Sequence, residues 1–144
     1  MSAEFVMEWK GGEVTKQTLA AVRWGIDSVM ADCVTDAKSN VRKKTTVLQG
    51  SIQMRPAQDV GGKITGYWGS FSVNYAIFIE MGTGPHVIFP RLKRALYWPG
   101  ADHPVRWVNH PGNRPYPYLV PAAERHYPSL GLRIRAQIAW GGAA

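Results

Sequence analysis

Apolar side chains recur at helical spacing in the stretch after Gly11-Gly12. Leu19, Val22, Ile26, Val29, Met30, Cys33, Val34, Ala37 and Val41 step mainly by three and four, which draws one apolar stripe along a helix. The spacing predicts a long amphipathic helix over residues 13–44. Acids lie near its start, and Arg42, Lys43 and Lys44 fall in its last turn, the order that suits the helix dipole. Ahead of it, Phe5-Val6-Met7-Glu8-Trp9 fits a short strand or an N-terminal arm, broken by the two glycines. After it the period changes. Residues 46–55 predict the opening of a β region, with Ser51, Gln53 and Arg55 alternating with Ile52 and Met54. Pro56 to Gly62 reads as a turn and Lys63 to Ser70 as the paired strand, an antiparallel hairpin with a long loop.

Residues 75–81 are apolar apart from Glu80, and the pattern alone fits a short helix or a buried strand. Gly82 and Gly84 permit a sharp reversal. Val87-Ile88-Phe89 and Ala95-Leu96-Tyr97-Trp98 predict a second hairpin, with Arg91, Lys93 and Arg94 at its exposed tip. Val105-Arg106-Trp107-Val108 predicts a third short strand. Prolines at 111, 115, 117 and 121 make the following segment extended and stiff. Pro121 suits the first turn of a final helix, and Pro128 should end or bend it. Leu130, Leu132, Ile134, Ile138 and Trp140 continue as a second helical piece or a strand-like tail, and residues 141–144 should fray. These elements predict one α+β domain over residues 1–144. A long N-terminal amphipathic helix packs on a small antiparallel sheet, and a C-terminal helix follows a proline-rich segment. Residues 1–11 form an arm or strand, and 128–144 a tail.

Composition narrows the class. A chain of 144 residues with 45% hydrophobic content can bury a core without covalent staples. The single cysteine, Cys33, excludes an internal disulfide framework and suits a reducing compartment. No signal-peptide pattern opens the chain, and no run reaches the ~18–20 apolar residues of a membrane span. The expectation is a soluble protein, made in the cytoplasm and used there or built into a particle. The net charge of +7 is uneven: residues 1–36 hold three basic and six acidic side chains, and the remainder fourteen and four. A basic remainder fits contact with nucleic acid or an acidic protein surface, and equally an ordinary solvated face. Sixteen aromatics, six of them Trp, are many for a core this small, which points to an oligomer interface.

The chemistry of catalysis is poorly represented. His86, His103, His110 and His126 lack the close pairing of zinc ligands, so no metal or cofactor is expected. Cys33 lies in the apolar stripe, where a thiol is inert. No serine elbow and no phosphate-binding loop is present. Asp59, Glu80, Asp102 and Glu124 are too dispersed to name an acid–base pair. Glu80, among apolar neighbours, calls for a cationic partner, for which Arg94, Arg106 and Arg114 are available. The chain reads as a non-enzyme.

Two phrases carry a resemblance. The first is Tyr75-Ala76-x-x-x-Glu80-x-Gly82-Thr83, continuing through Pro85-His86-Val87-Ile88, the basic turn Arg91 to Arg94, and Ala95-Leu96. The second is His110-Pro111-Gly112-x-Arg114-Pro115-x-Pro117-Tyr118-Leu119, followed by Ala122. In this order they resemble the small head–tail joining proteins of long-tailed bacteriophages, the neck, tail-component or tail-completion family. The resemblance spans about residues 12–130. The Asp102-His103-Pro104 turn and the tail from Tyr127 onward depart from the family pattern. The resemblance implies a virion protein that forms a ring, hexameric or dodecameric, at the head–tail junction. Its neighbours there are portal, adaptor or stopper proteins, or tail-terminator and tail-tube proteins. DNA passes through the channel without sequence-specific binding. Tyr75, Glu80, Gly82, Thr83, Arg91, Lys93, Arg94, His110, Pro111, Gly112, Arg114, Pro115, Tyr118 and Leu119 are then interface or architectural residues. The alternatives are a basic nucleic-acid-binding module, which needs aromatics on an open face, and a tail terminator or assembly factor.

Overall fold

The computed structural model describes residues 2–8, 16–42 and 46–141. They fold as an α+β protein: β1 (Ser2–Glu8), α1 (Lys16–Asn40), α2 (Thr46–Ser51), β2 (Ile52–Val60), β3 (Lys63–Ser70), α3 (Ala76–Met81), β4 (His86–Ile88), β5 (Val108–His110), α4 (Val120–His126) and α5 (Leu130–Gly141). A single 3-10 turn, Tyr127–Ser129, joins α4 to α5. The chain divides into two compact units, Met1–Ala76 with Pro117–Ala144, and Ile77–Tyr116.

In the first unit, the apolar stripe of α1 is the core. Ala21, Val22, Ile26, Val29, Met30, Cys33 and Ala37 are buried, and α1 contacts β2, β3, α4 and α5. The three-stranded antiparallel sheet has the order β1-β3-β2. Its central strand buries Ile64, Gly66 and Trp68 and leaves Tyr67 exposed, the period-2 pattern of a strand with one covered face, before Gly69 and Ser70 are both buried at its end. The long amphipathic helix, the small sheet and the C-terminal helix after the proline segment are all present.

Several local expectations are corrected. Helix α1 stops at Asn40, so Arg42 lies beyond its last turn; residues 13–15, 43 and 44 lie outside the described residues. Ser39 and Asn40 are weak helix formers, and Ser39 Oγ donates to the Asp36 carbonyl at 2.7 Å, offering the backbone a local alternative. Residues 46–51 form a helical turn rather than the start of a strand. That turn buries Leu48, and Ser51 Oγ donates to the Leu48 carbonyl at 2.7 Å. The strand begins where the alternation of Ile52 and Met54 begins. It then runs through Pro56 to Val60, so the expected long loop shrinks to a two-residue turn at Gly61-Gly62.

Pro56 is tolerated in the strand because the register slips there. Arg55 pairs with Tyr67 and Gln58 with Thr65, so Pro56 and Ala57 together oppose Gly66, a β-bulge. The bulge moves the next inward position from Pro56, which is exposed, to Ala57, which is buried, and frees Ala57 from the ladder. Helix α1 satisfies it: Ala57 N–H donates to Asp27 Oδ1 at 2.7 Å, and Arg23 Nε donates to the Ala57 carbonyl at 3.4 Å.

The segment after the prolines is helical throughout. Val120–His126 starts with proline in its first turn, Pro128 sits in the 3-10 turn that bends the path, and α5 follows rather than a strand-like tail. Residues 142–144, expected to fray, lie outside the described residues. Trp68 Nε1 donates to Tyr127 Oη at 2.9 Å, tying the central strand to the bend. A polar network joins α1 to the C-terminal helices. Arg125 Nη1 and His126 Nε2 reach Asp36 Oδ2 at 2.9 and 2.8 Å, and Arg133 bonds both Ser28 and Asp32.

The second unit holds the two-stranded antiparallel sheet of β4 and β5, with His86 opposite His110 and Ile88 opposite Val108. The expected hairpin between residues 87–89 and 95–98 does not form. Leu96 instead bridges Val105, and the strand expected at 105–108 lies at 108–110. Pro90 and the basic run that follows carry residues 89–95 away from β4 as an exposed or half-exposed excursion, leaving β5 as the available partner.

Candidate functional site

The two phrases singled out in the sequence meet in space within the second unit. Thr83 N–H donates to the Asn113 carbonyl at 3.0 Å, and Asn113 N–H donates to the Thr83 carbonyl at 3.0 Å. Thr83 Oγ1 also accepts from Asn113 N–H at 2.9 Å. Tyr116 N–H reaches the Ile79 carbonyl of α3 at 2.8 Å. The turn after α3 is thereby bolted to the proline-rich segment.

Both glycines at the bolt are required. Gly82 has φ +74° and Gly112 φ +86°, backbone that costs an L side chain strain. A Cβ on Gly82 would fall 2.6 Å from the Asn113 carbonyl oxygen and 2.8 Å from Pro115 N, and one on Gly112 would collide with the Thr83 carbonyl oxygen. The paired histidines extend the closure. The His86 and His110 rings lie 5.1 Å apart, His86 Nδ1 lies 3.0 Å from the Gly84 carbonyl oxygen, and Gly112 N–H donates to His110 Nδ1 at 3.0 Å.

The remaining expected residues separate into groups. Glu80 is buried at the end of α3, 3% exposed, while Arg94, Arg106 and Arg114 are exposed. Arg91, Lys93 and Arg94 are exposed on the excursion, as are Pro111 and Pro115 beside the bolt. Tyr75, Tyr118 and Leu119 belong to the first unit. There Tyr118 and Leu119 are core residues and Tyr75 is part-exposed, so the first two act in packing. Sequence reasoning missed Asn113, which appeared only as a spacer between Gly112 and Arg114. It also missed Asp27 and the Asp32–Asp36 network. The signal for the network was the i, i+4 spacing of those two acids on one face of α1.

Cys33 is fully buried. Burial, reinforced by the Asp32 and Asp36 carboxylates, pushes its thiol up to about 12, and its Sγ lies 3.7 Å from the Ala122 carbonyl oxygen as a donor. Such a thiol is not a nucleophile. Among the described residues no cluster of three or more metal-ligating side chains occurs, and no helix is long and apolar enough to cross a membrane. The arrangement is a rigid, closed frame that displays side chains, with large apolar residues such as Phe78, Met81, Phe89, Leu92 and Tyr97 exposed on the second unit. Comparison with known protein families, with curated proteins and with solved structures finds no match to this chain.

Proposed function

We propose that this chain is a structural subunit of the head–tail junction of a tailed bacteriophage. It forms a closed ring that joins the capsid connector to the tail and continues the DNA channel. One observation carries the reading. The phrases on which the resemblance rests, Glu80-x-Gly82-Thr83 and His110-Pro111-Gly112-x-Arg114-Pro115, form one built object through the Thr83–Asn113 bolt and two positive-φ glycines.

The physical case is one of preorganisation. A ring needs a heterologous interface whose rotation closes. Rigid elements lose little entropy on docking, so a bolted, proline-stiffened frame is a good arm for a neighbour. Exposed aromatics and arginines on that frame are the residue types that anchor interfaces. The work is mechanical, with no catalytic role for any residue.

Deleting the coding sequence from the phage that carries it tests this reading. The expected product is DNA-filled heads and separate tails that fail to join, rescued by the intact chain supplied in trans. Normal, infectious particles from the deletion would overturn it.

A further inference from the structure

We propose that the excursion Phe89–Ala95, with Arg106-Trp107 beside it, is a sequence-independent binding site for single-stranded nucleic acid. The fold brings these pieces together. The excursion leaves the sheet at the Ile88–Val108 pair and returns at the Leu96–Val105 bridge. Arg106 and Trp107 form the short irregular link between Val105 and Val108, opposite the excursion and between those same two points. Four cations, Arg91, Lys93, Arg94 and Arg106, are thus gathered on one closed frame.

All four are exposed, and among the described residues none makes an ion pair or hydrogen bond. Residues 89–107 hold one carboxylate, Asp102. An unpaired cluster on a rigid frame is free to engage phosphates. Three of the four are arginine, whose flat guanidinium both forks onto phosphate and stacks on bases. The exposed large apolar side chains of the region are Phe89, Leu92, Tyr97, Trp98 and Trp107, four of them aromatic. Aromatic faces interleaved with cations suit unpaired bases, which stack irrespective of sequence. A lipid surface fits less well, because Leu92, the single aliphatic member, is flanked on both sides by cations that would be dragged into the bilayer with it.

The test is fluorescence anisotropy of the full chain with a labelled thymidine oligonucleotide of thirty nucleotides. Four phosphate contacts give a slope of about −3 in log affinity against log salt, roughly a fifty-fold loss between 50 and 200 mM. Replacing Arg91, Lys93 and Arg94 together with Ala should reduce the slope by about 2. Trp107→Ala should weaken binding by about five-fold or more, and Phe89→Ala repeats that arm on the excursion itself. Leu92→Ala, which removes no charge and no ring, should leave binding unchanged. No binding at 50 mM salt overturns the proposal. So does a loss on Leu92→Ala equal to that of the aromatic variants, or displacement of the oligonucleotide by poly-glutamate or phosphatidylglycerol vesicles at equal charge. These outcomes are independent of the ring reading, since they concern the isolated chain.

Discussion

At the scale of single residues, the chain shows how one side chain can license an irregular backbone. Pro56 cannot donate to a sheet ladder, and its presence forces a bulge that strands the Ala57 peptide. Asp27, one turn after Arg23 on α1, accepts the freed Ala57 N–H. Asp27→Ala should therefore cost about 1–3 kcal/mol, the penalty for leaving a part-buried donor unsatisfied. Asp27→Asn keeps an acceptor oxygen and should recover part of it. Denaturant midpoints of the two variants check this, and equal midpoints for wild type and Asp27→Ala would refute the role. Nothing in the period of apolar positions pointed to Asp27, because its partner is a backbone group 30 residues away.

At the scale of elements, contact between α1 and the C-terminal helices has a charged component that responds to pH. The hydrogen bond from His126 and the nearby Arg125 guanidinium hold the Asp36 carboxyl below its ordinary value of 3.8. A carboxyl lowered on folding stabilises the fold above its unfolded value and ceases to do so as pH falls through the folded one. Thermal stability should thus decline on acidification below about pH 4, and Asp36→Asn should flatten that limb of the curve. The bolt is a second element-scale device. Gly112→Ala places a side chain where φ is +86° and the Thr83 carbonyl blocks it, a strain of order 1–3 kcal/mol. Hydrogen exchange should show the Thr83 and Asn113 amides losing protection while the β1–β3 ladder keeps its own. Uniform protection throughout would contradict the bolt.

Elements with a long periodic signal were legible in advance. The nine apolar positions of α1 and the Lys63–Ser70 strand each supply several periods, and both stand within a few residues of expectation. The second unit was not legible in the same way. Its strands are three residues long, too short for a period, and β4 pairs across 20 residues rather than with the nearest apolar run. The bolt was half legible. Gly82 reads as a reversal from the sequence and Gly112 stands only within the second phrase, and the pairing that brings them together is one that no local pattern encodes.

At the scale of the whole molecule, the second unit displays many exposed apolar and basic side chains. A lone soluble subunit gains nothing from exposed Phe78, Met81 and Tyr97, whereas a subunit of an assembly covers such residues against its neighbours. On the ring reading, these exposed residues of the second unit are the ones that meet adjacent proteins. The most direct measurement is cryo-electron microscopy of the purified particle that contains this chain. The expected result is density for this fold in a closed ring between the capsid vertex and the tail, with the second unit against a neighbouring subunit. Particles that carry a complete neck in which no density fits this chain would contradict it.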